Sequence, residues 1–271
     1  MNCHGRSPGE GGRERAGVKP QIGFFYDRRA RMELVVCRRS ELSYPLHNHV
    51  SVFTLGMVLD GVLEVTIGGG AQVCTQGEVF LIPPYVPHSI QAQGPYSMLS
   101  LCVHKDRAAQ GDAGGMRGDG AGLLRACGPD LEMACGRLLD LLDCLPVLAR
   151  TVPADGTSPV GRMRRVLELH PEDRLSVEEM AASAFISKYD FIRAFKREVG
   201  LTPHQFQLQN RVRKAQRLLA GAGSVAETAL EAGFCDQSHL IKQFKRITGL
   251  TPADYRAACS YSAPWITRER G

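Results

Sequence analysis

The sequence contains no run of eighteen apolar residues, which excludes a membrane-spanning helix. The first twenty residues have no apolar stretch of the kind a secretory signal requires and are rich in Gly and Arg instead. Positions 1–21 are therefore read as a disordered tail, and the chain as cytoplasmic with no membrane partner. There is no Cys-x-x-Cys pair, so a finger-type structural zinc has no support. The nine cysteines, among them Cys3, Cys37 and Cys74, are odd in number and scattered. They read as reduced packing residues rather than a disulfide framework.

What is present fits a globular protein: 271 residues, 44% hydrophobic and 23% charged, enough for two domains with separate cores. The net charge of +5 is unevenly placed. After Pro159 there are 18 Lys and Arg against 12 Asp and Glu, whereas up to that point there are 15 against 16. A basic excess confined to one part suits a protein in which only that part meets a polyanion.

Three regions separate by pattern. Positions 22–104 carry short β-like runs (Val52–Leu59, Val62–Ile67, Val79–Ile82, Met98–Val103) with turn signals at Asp60-Gly61 and Gly68-Gly69-Gly70. This predicts a small antiparallel barrel or sandwich. Positions 105–122 are Gly- and Asp-rich and are expected to form a mobile loop. Over 123–150, Leu124, Cys127, Leu131, Cys135, Leu138, Leu142 and Leu145 recur at helical steps, and Leu139 and Leu141 widen the stripe. That width makes the segment a candidate homodimer face. Positions 151–159 read as a linker and 160–271 as wholly helical.

The strongest signal is an internal repeat. Phe195-Lys196-Arg197-Glu198-Val199-Gly200-Leu201-Thr202-Pro203 matches Phe244-Lys245-Arg246-Ile247-Thr248-Gly249-Leu250-Thr251-Pro252 at an offset of 49, and the same offset pairs Phe185 with Phe234. Helix boundaries repeat as well. Ser176-x-x-Glu179 and Ser224-x-x-Glu227 are capping boxes. Ser187 and Asp236 can cap the next helices, Gly200 and Gly249 can end them, and Thr202-Pro203 and Thr251-Pro252 can open a third. Each copy is thus a helix-turn-helix with a supporting helix.

At about 100° per residue the second helix of each copy divides into two faces. Phe191, Phe195 and Val199 lie opposite Tyr189, Arg193 and Lys196, and Leu240, Phe244 and Ile247 lie opposite Ser238, Lys242 and Lys245. A recognition helix in a DNA major groove needs long donors on a helix anchored by an apolar back. Lys188 and Gln237, near the helix N-termini, are placed for phosphate or base contact. Phe206 to Ala220, with Arg211, Arg213, Lys214 and Arg217, reads as a rigid spacer between the units.

These residues resemble a known family. Ser187, Arg193-x-Phe195-Lys196, Gly200-x-Thr202-Pro203, Arg211, Ala215 and Leu218-Leu219 look like the first half of the AraC/XylS regulator DNA-binding domain. Ala229, Gly233-Phe234, Phe244-Lys245, Gly249-x-Thr251-Pro252 and Tyr255-Arg256 look like its second half. The resemblance implies seven helices, double-stranded DNA as partner, and base-facing positions at Tyr189, Ile192, Arg193, Gln237, Ser238, Ile241 and Lys242. It also implies activation through RNA polymerase. The family often has tryptophan where Tyr189 stands and polar residues where Ile192 and Ile241 stand, so the two isoleucines either meet thymine methyls or pack on the domain edge.

His47-Asn48-His49, Gly61, the run Gly77 to Pro84 and His88 resemble the family's cupin-like sensor. His47, His49 and His88 stand where metal-binding cupins hold a divalent ion, and imidazoles two apart on a strand share a face. The carboxylate such proteins supply a few residues later is missing, since Val50 to Thr54 follow. The nearest carboxylates, Glu64 and Glu78, are expected to face solvent. The histidines therefore read as a three-nitrogen metal site, as the lining of an effector pocket, or as structural residues. The expectation is an α+β protein of two domains, a cupin-like barrel followed by an all-α domain with two helix-turn-helix units. Its function is read as a non-enzymatic, ligand-responsive transcription regulator without a required cofactor, the alternative being a metal-binding cupin that acts as metal sensor or enzyme.

Overall fold

The computed structural model describes residues 21–27, 29–128, 131–150, 158–219, 221 and 223–262. The tail expected over 1–20, the core of the linker at 151–157 and the end of the helical region at 263–271 lie outside the described residues. Gln21, assigned to the tail, opens a strand, and Ser158 and Pro159, assigned to the linker, cap and open a helix.

The N-terminal part is built of β1 (Gln21–Asp27), β2 (Met32–Ser40), β3 (Tyr44–His47), β4 (Val52–Asp60), β5 (Leu63–Ile67), β6 (Gly70–Cys74), β7 (Val79–Ile82), β8 (His88–Ala92) and β9 (Tyr96–His104). They form two antiparallel sheets, β1-β2-β9-β4-β7 and β3-β8-β5-β6. Strand periodicity sorts the residues of β2. Met32, Leu34 and Val36 pack outward against helices, whereas Glu33, Val35 and Cys37 turn inward. The closed end of the barrel is filled by residues such as Val58, Leu63, Phe80, Ile82, Tyr96 and Met98. The other end is open and faces the helical domain.

Positions 105–122 are not a loop. They hold α1 (Lys105–Ala109) and most of α2 (Ala113–Cys127). Gly lowers helix propensity by about 1 kcal/mol per residue, and tertiary contacts overcome that here. Asp112 caps α2 by accepting from Gly115 N at 2.8 Å, and Arg107 bridges Asp112 and Asp119. Met116, Ala121, Leu123 and Leu124 are buried on the outer sheet face. Gly120 lets the helix approach closely, since a Cβ there would lie 3.2 Å from Leu139 and Leu142.

Beyond it the apolar stripe of 123–150 is broken into α3 (Leu131–Ala134), α4 (Gly136–Asp140), a 3₁₀ turn (Leu141–Cys144) and α5 (Leu145–Ala149). Leu124, Cys135, Leu138, Leu139, Leu142 and Leu145 are buried and Leu141 packs beside them. The face assigned to a partner subunit is thus consumed inside the barrel's own domain, because a chain that keeps turning can bury both sides of a wide stripe.

The helical domain comprises α6 (Pro159–Leu169), α7 (Val177–Ser183), α8 (Lys188–Val199), α9 (Pro203–Leu219), α10 (Val225–Glu231), α11 (Gln237–Thr248) and α12 (Pro252–Ser262). It has two small cores, one around Phe191, Phe195 and Phe206 and one around Phe234, Leu240 and Phe244. α9 gives Phe206 to the first and Leu208, Val212, Ala215 and Leu219 to the second. Three of the four basic residues of this spacer are tied internally: Arg211 donates to the Pro171 and Asp173 carbonyls, Arg213 to Asn48 O, and Lys214 pairs with Glu172.

The barrel is seated on both cores. Val50 and Tyr85 join the first, and Phe24 reaches the second with its ring 4.9 Å from that of Tyr255. Gly200 and Gly249, the left-handed residues that end α8 and α11, are two points of close approach. A Cβ at Gly200 would lie 1.9 Å from Pro87, and one at Gly249 2.9 Å from Leu42.

Candidate DNA interface and effector cavity

The capping signals of the sequence form as physical hydrogen bonds. Both capping boxes close, Ser176 with Glu179 and Ser224 with Glu227. Ser187 accepts from Asp190 N and Asp236 from His239 N, fixing where α8 and α11 begin. Thr202 and Thr251 accept from Gln205 N and Asp254 N at 3.3 and 3.2 Å. The apolar backs are buried: Phe191, Phe195 and Val199 in α8, Leu240 and Phe244 in α11, with Ile247 half-buried.

The opposite faces are open. Lys188, Tyr189, Arg193 and Lys196 are exposed on α8, and Gln237, Ser238, Lys242 and Lys245 on α11. Tyr189 is 75% exposed. Ile192 and Ile241 are half-buried at the edges of these faces. Two of the cations are engaged within the first unit, Arg193 with Asp190 and Lys188 with Glu178. Hydrogen bonds from Ser187 and then Arg193 hold the Asp190 carboxyl below its usual range, and Lys188 does the same for Glu178. Lys196, Lys242 and Lys245 have no carboxylate partner among the described residues.

The structure corrects the register of the repeat at its turns. Ile186 N donates to Ala181 O in the first copy and Phe234 N to Ala229 O in the second, so Ile186 and not Phe185 is the counterpart of Phe234. The offset is 48 up to the turn and 49 after it, with one extra residue between Phe234 and the Asp236 cap. Phe185 therefore stands where the second copy has Gly233. It adopts that glycine's left-handed backbone (φ 57°, against 85° for Gly233) and leaves its ring 94% exposed. Phe234 by contrast is buried.

Between barrel and α9 lies a cavity of about 1840 Å³. Ile22, Val35, Ile82, Ile90 and Met98 form apolar wall, and Gln209, Asn210 and Arg213 of α9 line the end that faces the helical domain. His47, His49 and His88 all line it. The register of β3 on β8 sets His47 directly opposite His88, with ring centroids 4.1 Å apart, and the His49 ring lies 4.8 Å from that of His88. Each ring is oriented through Nδ1: His47 to Pro45 O at 2.8 Å, His88 to Val86 O at 3.0 Å, and His49 to Thr54 Oγ1 at 2.7 Å. Burial, reinforced for His47 and His49 by the neighbouring imidazoles, pushes His47 down to about 3, His88 to about 4, and His49 well below the usual range. All three are neutral at physiological pH.

Glu64 and Glu78 are turned away, toward Gln93 and Thr75. Glu33 of β2 does line the cavity, as do Asp27 and Glu168, and burial pushes the Glu33 pKa up to about 7. Glu33 is in register with Cys102 of β9, which is in register with Thr54 of β4, the partner of His49. The one signal for it in the sequence is a lone acidic residue in the apolar run Met32 to Cys37.

Fold and site define a class: a β-barrel with an internal cavity, joined to paired helix-turn-helix units with basic outer faces. Residues 35–170 match the model of the AraC-like ligand binding domain and residues 180–258 that of a helix-turn-helix domain. The chain belongs to the AraC-type regulator family. Over 87 residues it is 40% identical to the HTH-type transcriptional regulator MtrA of Neisseria gonorrhoeae, a match spanning 32% of this chain and 29% of that one. It is 28% identical over 230 residues to the transcriptional activator NphR of Rhodococcus sp, covering 74% of this chain and 68% of that protein. ToxT from Vibrio cholerae has a similar fold, with a TM-score of 0.57 at 10% identity over 84% of this chain and 98% of that one. No helix among the described residues is long and apolar enough to cross a membrane.

Proposed function

We propose that the protein is a sequence-specific DNA-binding transcription regulator, acting in the cytoplasm, whose barrel cavity takes a small-molecule effector. The observation that carries this reading is the cap-for-cap equivalence of two helix-turn-helix units, each with a buried apolar back and an open polar, basic face. Tyr189, Ile192, Arg193 and Lys196 would read one major-groove segment, and Ser238, Ile241, Lys242 and Lys245 the next, with Lys188 and Gln237 at the helix starts. The first unit has the longer and more rigid donors. Arg193 must leave Asp190 for a base edge or phosphate, so part of its interaction with DNA replaces one already made. In this reading the protein is an activator that contacts RNA polymerase and catalyses nothing itself, in line with the NphR resemblance.

The test is binding to DNA sequences selected from a random pool by the full chain. Arg193→Ala is expected to weaken binding by about 1–3 kcal/mol and to relax the base preference at one position. Wild-type affinity and preference in that variant would refute the recognition face assigned here.

A further inference from the structure

We propose that His47, His49 and His88 form a binding site for a divalent transition-metal ion, and that Asn48, held between two of the ligands, makes occupancy of that site felt by the first recognition helix. The site itself rests only on the barrel, whereas its effect on DNA binding rests on the reading proposed above.

Tautomers are the first argument. Pro45 O and Val86 O can only accept hydrogen bonds, so neutral His47 and His88 carry their proton on Nδ1. Each therefore presents an unprotonated Nε2. Metal-binding histidines are commonly oriented in this way, by a carbonyl holding the far ring nitrogen. The Thr54 hydroxyl, which can donate or accept, holds Nδ1 of His49 and so orients that ring without fixing its tautomer. Convergence is the second argument: one ring nitrogen from each residue lies within 4.8 Å of the others. A tetrahedral ion with bonds of ~2.0–2.1 Å needs its nitrogens about 3.3 Å apart, so the rings have to draw inward by an ångström or so. Imidazole donors suit zinc, nickel, copper and iron rather than magnesium or calcium. The remaining coordination positions open to the cavity, where the charge of Arg213 favours an anionic oxygen donor.

The inward movement has a mechanical consequence. Asn48, just past the end of β3, is fully buried on the side facing the helical domain. Its Nδ2 donates to Val199 O, the last residue of α8, at 3.2 Å and to Tyr85 O at 3.4 Å. Its N–H donates to Gln209 Oε1, and its carbonyl accepts from Arg213. Tyr85 in turn donates from its N–H to His49 O at 2.6 Å, stacks under Arg164 of α6, and keeps a left-handed backbone at φ 67°. Pulling His47 and His49 onto an ion must therefore displace the residue that fastens α8 to the barrel.

The experiment uses the tag-free full chain, Zn²⁺ alone in calorimetry and Co²⁺ alone in visible absorption. The expected result is one ion per chain, with a cobalt spectrum free of thiolate charge-transfer bands and affinity lowered about 100-fold or more in His88→Ala and in His49→Ala. Equal zinc and cobalt binding by wild type and both variants, or none by any of them, would overturn the site and leave the DNA-binding reading untouched. For the coupling, DNA affinity is compared with Zn²⁺ and with chelator. A change of about 5-fold or more is expected in wild type. It should be lost in Asn48→Ala and reduced in Gln209→Ala, both of which still bind zinc. Identical DNA affinity with and without zinc in wild type, or an undiminished response in both variants, would overturn the coupling alone.

Discussion

Glu33 shows what a single residue contributes when its strand faces inward. Its carboxyl meets the cavity instead of bulk water, and the folded protein holds its proton up to pH about 7, against 4.5 for the free side chain. Between those values the unfolded chain releases a proton that the folded chain keeps. Stability therefore falls as pH rises through this window and levels off above it. Glu33→Gln removes the titrating group while keeping the shape. Thermal denaturation should show the variant close to wild type near pH 4.5 and progressively more stable than wild type toward pH 8; parallel curves would contradict the assignment. The histidines were legible in the sequence from their spacing and the Pro-rich turn before His88. Glu33 was not, because an acidic residue in a strand normally marks the solvent face, and only the packing of Met32, Leu34 and Val36 under α2 reverses the sense of β2.

The helix-turn-helix elements were legible nearly to the residue, since caps and C-terminal glycines are local chemistry. The turn in the first copy was not, because pairing the two phenylalanines by identity hides a one-residue difference in loop length. Phe185 occupies a left-handed position that disfavours side chains by about 1–2 kcal/mol, and its ring gains no burial in return. Phe185→Gly is expected to raise stability by about 1 kcal/mol, measured as a higher denaturation midpoint at unchanged slope. A midpoint at or below that of wild type would mean that the ring makes contacts the fold requires. The same limit of local reading applies to α1 and α2. The glycines of α2 suggest a loop, and what makes it helical is distant in sequence, namely Leu101, Leu139 and Leu142 against Gly120.

Over the whole molecule, the basic excess after Pro159 should appear as a salt dependence. The four lysines and one arginine on the two recognition faces give a slope of log affinity against log salt of roughly −4.5 if all five neutralise phosphates. Lys242→Ala together with Lys245→Ala should reduce that slope by about 2, measured by titration at several salt concentrations; an unchanged slope would move the second unit's phosphate contacts elsewhere. The two-domain layout followed from the change of periodicity along the chain, but the docking of one domain on the other did not, because Pro87, Leu42 and Asn48 carry no pattern of their own.

That docking touches Gly200 and Gly249, the same position in each copy of the repeat. A barrel with no internal repeat thus grips a duplicated surface at matching points, in the manner of a caliper whose jaws rest on the two reading heads. The gap between the heads is then gauged from outside as well as by α9. One base pair inserted between the two recognised DNA segments turns one head by about 35° around the duplex, and a caliper cannot follow that rotation without opening.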